Sequence, residues 1–404
     1  MYFKTLNSFT LSFAFFVSGF FLPYGISTLS LAIFLVVVLI EHRGQINFRT
    51  LKNEPFFWFQ ILLWGFTILS MLWTENQAEG WIEVTSKIPF LLVPIVLAGK
   101  ANYFQKYKQA IFDIIWMGGL VVSIICIARV LITSTWNDLF ANLVYDNLAK
   151  ASGLQPIYLS LFLIVSSLVW YLRFIHQQSF SLKKIGIPLF FYLMIIMLSS
   201  RTELLVYIVA FIVILGYEYV LKRKLIPIIF LALAVISMAF LVIKLNPVNN
   251  SRFTEMVDVS KDYTQNQWGG RSIRIEKWKN TLECYAQFPV LGTGAGDCSD
   301  ELIKTYQKNN FNIAVENHFN PHNQFLQTLL TLGIPGIICL LGFFTMMALK
   351  AQKNLDISLF VLVIIFSMSM ITESLLERQT GLFLIVVLSN IFYLQATSNK
   401  NAKT

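Results

Sequence analysis

Between residues 201 and 373 the chain collects the side chains that could do chemistry. Arg201 ends the run SSR, Arg271 and Arg274 follow a glycine pair in GGRSIR, and His322, one of four histidines, stands in NPHNQF. Guanidinium groups bind phosphate oxygens through paired hydrogen bonds and can neutralise a leaving diphosphate. An imidazole titrates near neutral pH and can take the proton of an attacking hydroxyl. Each position also has a plainer reading. Arg201 could be an interfacial anchor. Arg271 and Arg274 could form a solvated basic face paired with Glu276 or Glu283, and His322 could simply start a helix, with His318 as a competitor for any role as a base. Glu203 and Glu373 flank helix ends and could orient Arg201 or His322.

The elements that must position these groups are membrane helices. The 404 residues are 56% hydrophobic and 13% charged, against roughly 25% charged in soluble domains. The net charge of +9 does not point to nucleic acid, because Lys and Arg fall mostly in short connections between apolar runs. Those runs are near the ~20 residues a spanning helix needs. They predict an all-α integral membrane protein of about twelve transmembrane helices, at about 8–22, 25–40, 56–73, 87–98, 110–133, 153–172, 185–200, 203–220, 225–245, 322–349, 355–372 and 380–396. One large polar segment carrying short helices, 246–321, separates helices one to nine (1–245) from the last three and the tail (322–404). Lys4 and the apolar run after it read as a retained first helix, and Pro89 and Pro94 predict a kinked or tilted fourth span.

Basic residues are concentrated on one side, for example at Arg43, Arg49 and Lys52, at Lys100, Lys106 and Lys108, and at Lys222, Arg223 and Lys224. The short loops of the other side hold only Lys87, Lys150, Arg201 and Arg378. The first side is expected to be cytoplasmic together with both termini, and 246–321, Arg201 and the Glu373–Thr380 connection lie outside.

Inside the polar segment, Ile275, Trp278, Leu282 and Tyr285 recur at helical spacing from Arg271, bracketed by Gly270 and Pro289. Their face is expected against the membrane surface or the helix bundle, with Arg271, Arg274 and Lys277 near the interface. LGTGAG at 291–296 has no preceding strand and the wrong spacing for a dinucleotide fingerprint. It is a tight turn or a backbone nest facing a phosphate. Cys284 and Cys298 could pair in an oxidising compartment or stay free, while Cys126 and Cys339 read as buried packing residues. Asp258, Asp262, Asp297 and Asp300 do not have metal-site spacing, so no metal or cofactor is expected. A transporter would place ionisable groups or broken helices near the bilayer midplane, where the sequence offers only Arg129.

Taken in order, SSR201, GGR271 with Trp278 after it, Pro289 with the GTGAG turn, and H322-N-Q-F-L leading to Gly333 and Gly336 resemble the O-antigen ligase and O-antigen polymerase superfamily of bacterial envelope glycosyltransferases. The organised resemblance covers about 185–340. It implies a metal-independent, inverting transfer at the periplasmic face of the inner membrane, from a glycan on undecaprenyl diphosphate to an acceptor hydroxyl. Carried over by position, Arg201, Arg271 and, more weakly, Arg274 hold the diphosphate, and His322 activates the acceptor. Asn323, Trp278, Glu203 and Glu373 stand as supporting residues. Within the superfamily the acceptor is lipid A–core for a ligase, the growing glycan for a polymerase, or a protein. The ligase is favoured because the single long loop lies between spans nine and ten. A polyprenyl-linked glycan transporter and a scaffold protein are the readings from other classes.

Overall fold

The computed structural model describes residues 7–174, 182–222 and 271–396. The expected ninth span, residues 246–270 and both chain ends lie outside the described residues, as do the side chains at 174, 182–185, 218–222 and 271–272. The principal helices are α1 (Ser8–Gly19), α2 (Tyr24–Glu41), α3 (Pro55–Leu69), α4 (Gln77–Ser86), α5 (Pro89–Leu97), α6 (Lys108–Thr133), α7 (Pro156–Phe174), α8 (Leu182–Met197), α9 (Arg201–Lys222), α10 (Arg271–Tyr285), α11 (Cys298–Lys308), α12 (Gln324–Asn354), α13 (Ile357–Thr372) and α14 (Gln379–Gln395). No strand occurs among the described residues.

Among the described residues, six helical segments are long and apolar enough to cross a membrane: Tyr24–Glu41, Pro55–Leu72, Gln77–Leu97, Lys108–Thr133, Pro156–Arg173 and Gln324–Asn354. Four shorter apolar helices join them: Ser8–Gly19, Gly186–Met197, Ile357–Thr372 and Gln379–Gln395. The chain is a multi-pass membrane protein. The centre is α14, in which every residue from Gly381 to Gln395 is buried, as a helix apolar on all sides requires. It packs on α5 and α13, while α12 packs on α3 and α13, and α9 packs on α13.

The fourth span departs from the sequence reading. It starts at Gln77 rather than near 87 and joins α4 to α5. Lys87, expected in a short outer loop, is instead buried between those two helices, with 8% of its surface exposed.

The polar segment is fastened to the bundle through a break in α12. Pro335 has no N–H to give the carbonyl of Thr331, and Gly333 adopts φ 62°, ψ −152°, a region only glycine enters freely. Groups released by the break bond to the polar segment. Gly294 N–H donates to Thr331 O (3.0 Å), Thr293 N–H to Leu330 O (2.8 Å), and Ile334 N–H to Val290 O (2.9 Å). A Cβ on Gly333 would lie 2.0 Å from Val290 O. Gly333→Ala is therefore expected to cost at least about 1–3 kcal/mol from backbone strain alone. A lowered thermal midpoint in detergent, with earlier proteolysis in 286–300, is the outcome to look for.

Candidate active site

The helix α10 turns inward a face other than its apolar stripe, which leaves the membrane surface rather than the bundle for part of that stripe. Ile273, Lys277, Asn280, Thr281 and Cys284 are buried, whereas Ile275 and Leu282 are exposed. The reason is the partner surface. Ile273 and Cys284 pack in a small core with Cys298, Leu302, Tyr306, Phe311, Ala314 and Leu330, and Asn280 accepts a hydrogen bond from Asn309 at 2.8 Å. Ile275 and Leu282 are left facing outward, available to the membrane surface. Cys284 and Cys298 share this core as free thiols; burial pushes the Cys298 thiol up to about 12.

The GTGAG segment is a docking turn. Its N–H groups at Thr293 and Gly294 are spent on α12, and that of Ala295 on the Ser70 hydroxyl at 3.0 Å. These groups cannot also form a nest for a phosphate. Asp297, next in sequence, accepts from the backbone N–H of Glu75 (2.8 Å) and Asn76 (2.7 Å). Residues 292–297 thus tie the polar segment to the start of α4 as well as to α12.

With α10 held in this way, Lys277 and Trp278 lie over the segment that leads into α12, with Arg274 one helical turn before them. The indole N–H of Trp278 donates to Pro321 O at 3.1 Å, fixing the residue before His322. Asn323 caps α12, its side chain accepting from Leu326 N–H at 3.1 Å. Between these anchors His322 takes φ 48°, an uncommon left-handed conformation for a non-glycine residue. The Asn320 carboxamide oxygen accepts its N–H at 3.0 Å.

This backbone turn carries the imidazole to Glu373, at the end of α13, with Nδ1 3.0 Å from Oε2. Burial pushes the Glu373 carboxyl up. The hydrogen bond and charge of His322, the charge of Arg274 and the Ser374 backbone outweigh burial and hold it below the ordinary range. An ionised carboxylate can only accept, so Nδ1 bears the proton, and in the neutral ring Nε2 then keeps its lone pair. That is the arrangement of an oriented general base. His318 is exposed and has no comparable partner among the described residues.

The remaining sequence candidates take different places. Glu203 is fully buried on α9, accepts from the Ser369 hydroxyl at 3.0 Å, and lies within electrostatic reach of Glu373. Arg201 opens the same helix and is half-buried. Arg271 opens α10, but its side chain lies outside the described residues. The charge of Arg274 bears on Glu373. Arg129, within α6, donates to Asn147 O at 3.2 Å.

Two features were not read from the sequence. Lys277, expected near the interface, is 5% exposed, its ammonium lying 3.6 Å from the centre of the Phe319 ring. A cation–π contact in a desolvated place contributes about 2 kcal/mol, less than the several kcal/mol an unpaired buried ion costs. Burial accordingly holds the Lys277 amine down at about 7, with Glu373 opposing and Arg274 reinforcing that shift.

The second is a buried network beneath His322. The Lys87 ammonium pairs with Glu83 (2.9 Å) and Glu377 (3.1 Å) and donates to Leu376 O (2.6 Å). Gln324 donates to Glu377 (3.1 Å) and accepts from Leu376 N–H (2.7 Å). The network borders a cavity of about 20 Å³, room for about one water. Ionisable groups within spans are therefore not limited to Arg129. The i, i+4 spacing of Glu83 and Lys87 was the available signal.

Residues 186–341 match the family model described as O-antigen ligase. The match runs from α8 past the break in α12 and takes in Arg201, Arg271, Arg274, Trp278 and His322, while Glu373, Glu377 and Lys87 lie beyond it. No curated protein matches the chain.

Proposed function

We propose that this chain, which belongs to the O-antigen ligase and polymerase superfamily, is a glycosyltransferase working at the periplasmic face of the inner membrane, with both termini cytoplasmic. It moves a glycan from undecaprenyl diphosphate to an acceptor hydroxyl. The observation that carries the reading is the His322–Glu373 pair at 3.0 Å with the Arg274 charge beside it. The acceptor oxygen bonds to the anomeric carbon as its proton passes to Nε2 of His322. The anomeric C–O bond to the diphosphate breaks, and its electron pair leaves with undecaprenyl diphosphate. Attack opposite the leaving group inverts the anomeric centre. Arg274, with Arg201 and Arg271, binds the diphosphate and stabilises its charge without a metal.

The Glu83–Lys87–Glu377 network is the kind of group a transporter could use. It is closed by its own ion pairs and joined to the connection that carries Glu373, so it serves here as support for the site. Lipid A–core is the favoured acceptor. Purified protein given lipid-linked glycan and, separately, lipid A–core, further lipid-linked glycan or a protein acceptor tests this choice. Product with lipid A–core supports a ligase, whereas an elongated lipid-linked chain or a glycosylated protein replaces that reading.

Arg274→Ala is expected to weaken donor binding by about 1.5–3 kcal/mol, the usual worth of a charge-assisted hydrogen bond. Arg274→Lys should recover only part, because a point charge cannot reproduce the two-pronged contact. Equilibrium binding of lipid-linked glycan to the three proteins measures both effects.

A further inference from the structure

Lys277 stands where the packing of α10 has no need of an ammonium. Its neighbours on the buried face, such as Ile273, Thr281 and Cys284, are uncharged. No carboxylate lies within ion-pair distance of Lys277 among the described residues. The acid acting on it at longer range is Glu373, which is already hydrogen-bonded to His322. Among the described residues Arg274, on its own helix, also faces it and repels it, and His322 is hydrogen-bonded to the same Glu373. The Phe319 ring closes the remaining side and meets His322 edge-on, 6.3 Å between centres. Arg274 and a protonated Lys277 thus both act on the carboxylate of Glu373, beside the proposed base. An anion entering there would meet a cation with no ion-pair partner of its own.

The geometry points to Lys277 as a further phosphate-binding residue, whose ammonium contacts the diphosphate of the lipid-linked donor. This rests on the donor class proposed above. Because burial holds the amine at about 7 in the empty site, it is charged below that pH and neutral above it. An arriving diphosphate favours the charged form, so donor binding takes up a proton and weakens as pH rises through 7.

The test is equilibrium binding of an undecaprenyl-diphosphate-linked monosaccharide, whose phosphate charges stay fixed over the range, to full-length protein between pH 6 and 8.5. Wild type, Lys277→Met and Lys277→Arg are compared, with His322 intact in all three. Wild-type affinity is expected to fall about tenfold across the range, one pKa unit of differential interaction being tenfold. Lys277→Met should bind about tenfold more weakly at pH 6 and lose most of the pH dependence. Lys277→Arg, charged throughout, should bind without the loss at high pH. Wild-type affinity and pH profile in Lys277→Met overturn the proposal, even if turnover falls, because the amine would then act outside donor binding. Should Lys277→Met fail to fold, a Lys277→Arg profile identical to wild type overturns it. Failure of wild type itself to bind the lipid-linked sugar removes the donor reading and this proposal with it.

Discussion

Replacing His322 with alanine is expected to lower turnover by about 10²–10⁴-fold, the range for a lost general base. Donor binding should change little. The imidazole meets the site through Glu373, whereas the phosphate contacts are assigned to arginine side chains and Lys277. Folding should also survive, since the segment before α12 is held by Trp278 on Pro321 O and by the Asn323 cap, neither of which uses the imidazole. His318→Ala is the control and should retain activity, because that side chain is exposed and stands apart from Glu373. Glu373→Gln should fall between the two, keeping a hydrogen-bond partner while losing the charge that favours protonation at Nε2. Single-turnover transfer and equilibrium donor binding, measured on each variant, separate these effects.

Lys87→Met is expected to give the largest loss of stability. Removing the ammonium leaves the carboxylates of Glu83 and Glu377 facing one another without their shared cation. Breaking a buried ion pair from one side costs about 3–5 kcal/mol. The lower part of that range applies, because the two carboxylate side chains are 23% and 20% exposed and solvent screens them in part. Activity should fall as well. The same ammonium holds Leu376 O and Glu377, and through Gln324 this network joins the start of α12, next to His322, to the connection that carries Glu373. Lys87→Met combined with Glu83→Met should recover part of the lost stability, since fewer charges are then left uncompensated. Thermal unfolding in detergent gives the stability order, and wild-type stability in Lys87→Met would refute this account of the network.

The membrane helices were legible because a span announces itself by length and hydropathy, and the run expected at about 380–396 is the apolar helix α14. Its central position could not be read, since only packing decides which apolar helix the others surround. The polar residues were legible as types. His322, Glu373 and Arg274 could be singled out, but not that a left-handed turn at His322 brings its ring to a carboxylate fifty-one positions away. The inward face of α10 was not legible for a physical reason. Its partner core accepts Lys277, Asn280 and Thr281 beside Ile273 and Cys284, so burial there does not follow hydrophobicity. The break in α12 at Gly333 and Pro335 was not read, and the loop that fills it, forty residues earlier, carries no mark that names its partner. Lys87 was placed in a loop because the fourth span was begun ten residues late.

The central claim is that His322, oriented by Glu373, activates an acceptor hydroxyl for displacement of a lipid diphosphate. The most direct measurement is the release of undecaprenyl diphosphate from a lipid-linked glycan by purified protein, with and without acceptor, for wild type and His322→Ala. The account predicts release in step with glycosylated acceptor by wild type, with inversion at the anomeric carbon, and near loss of both in His322→Ala. Undiminished acceptor-dependent release by His322→Ala, or movement of intact lipid-linked glycan across vesicles by wild type with no release, would contradict it.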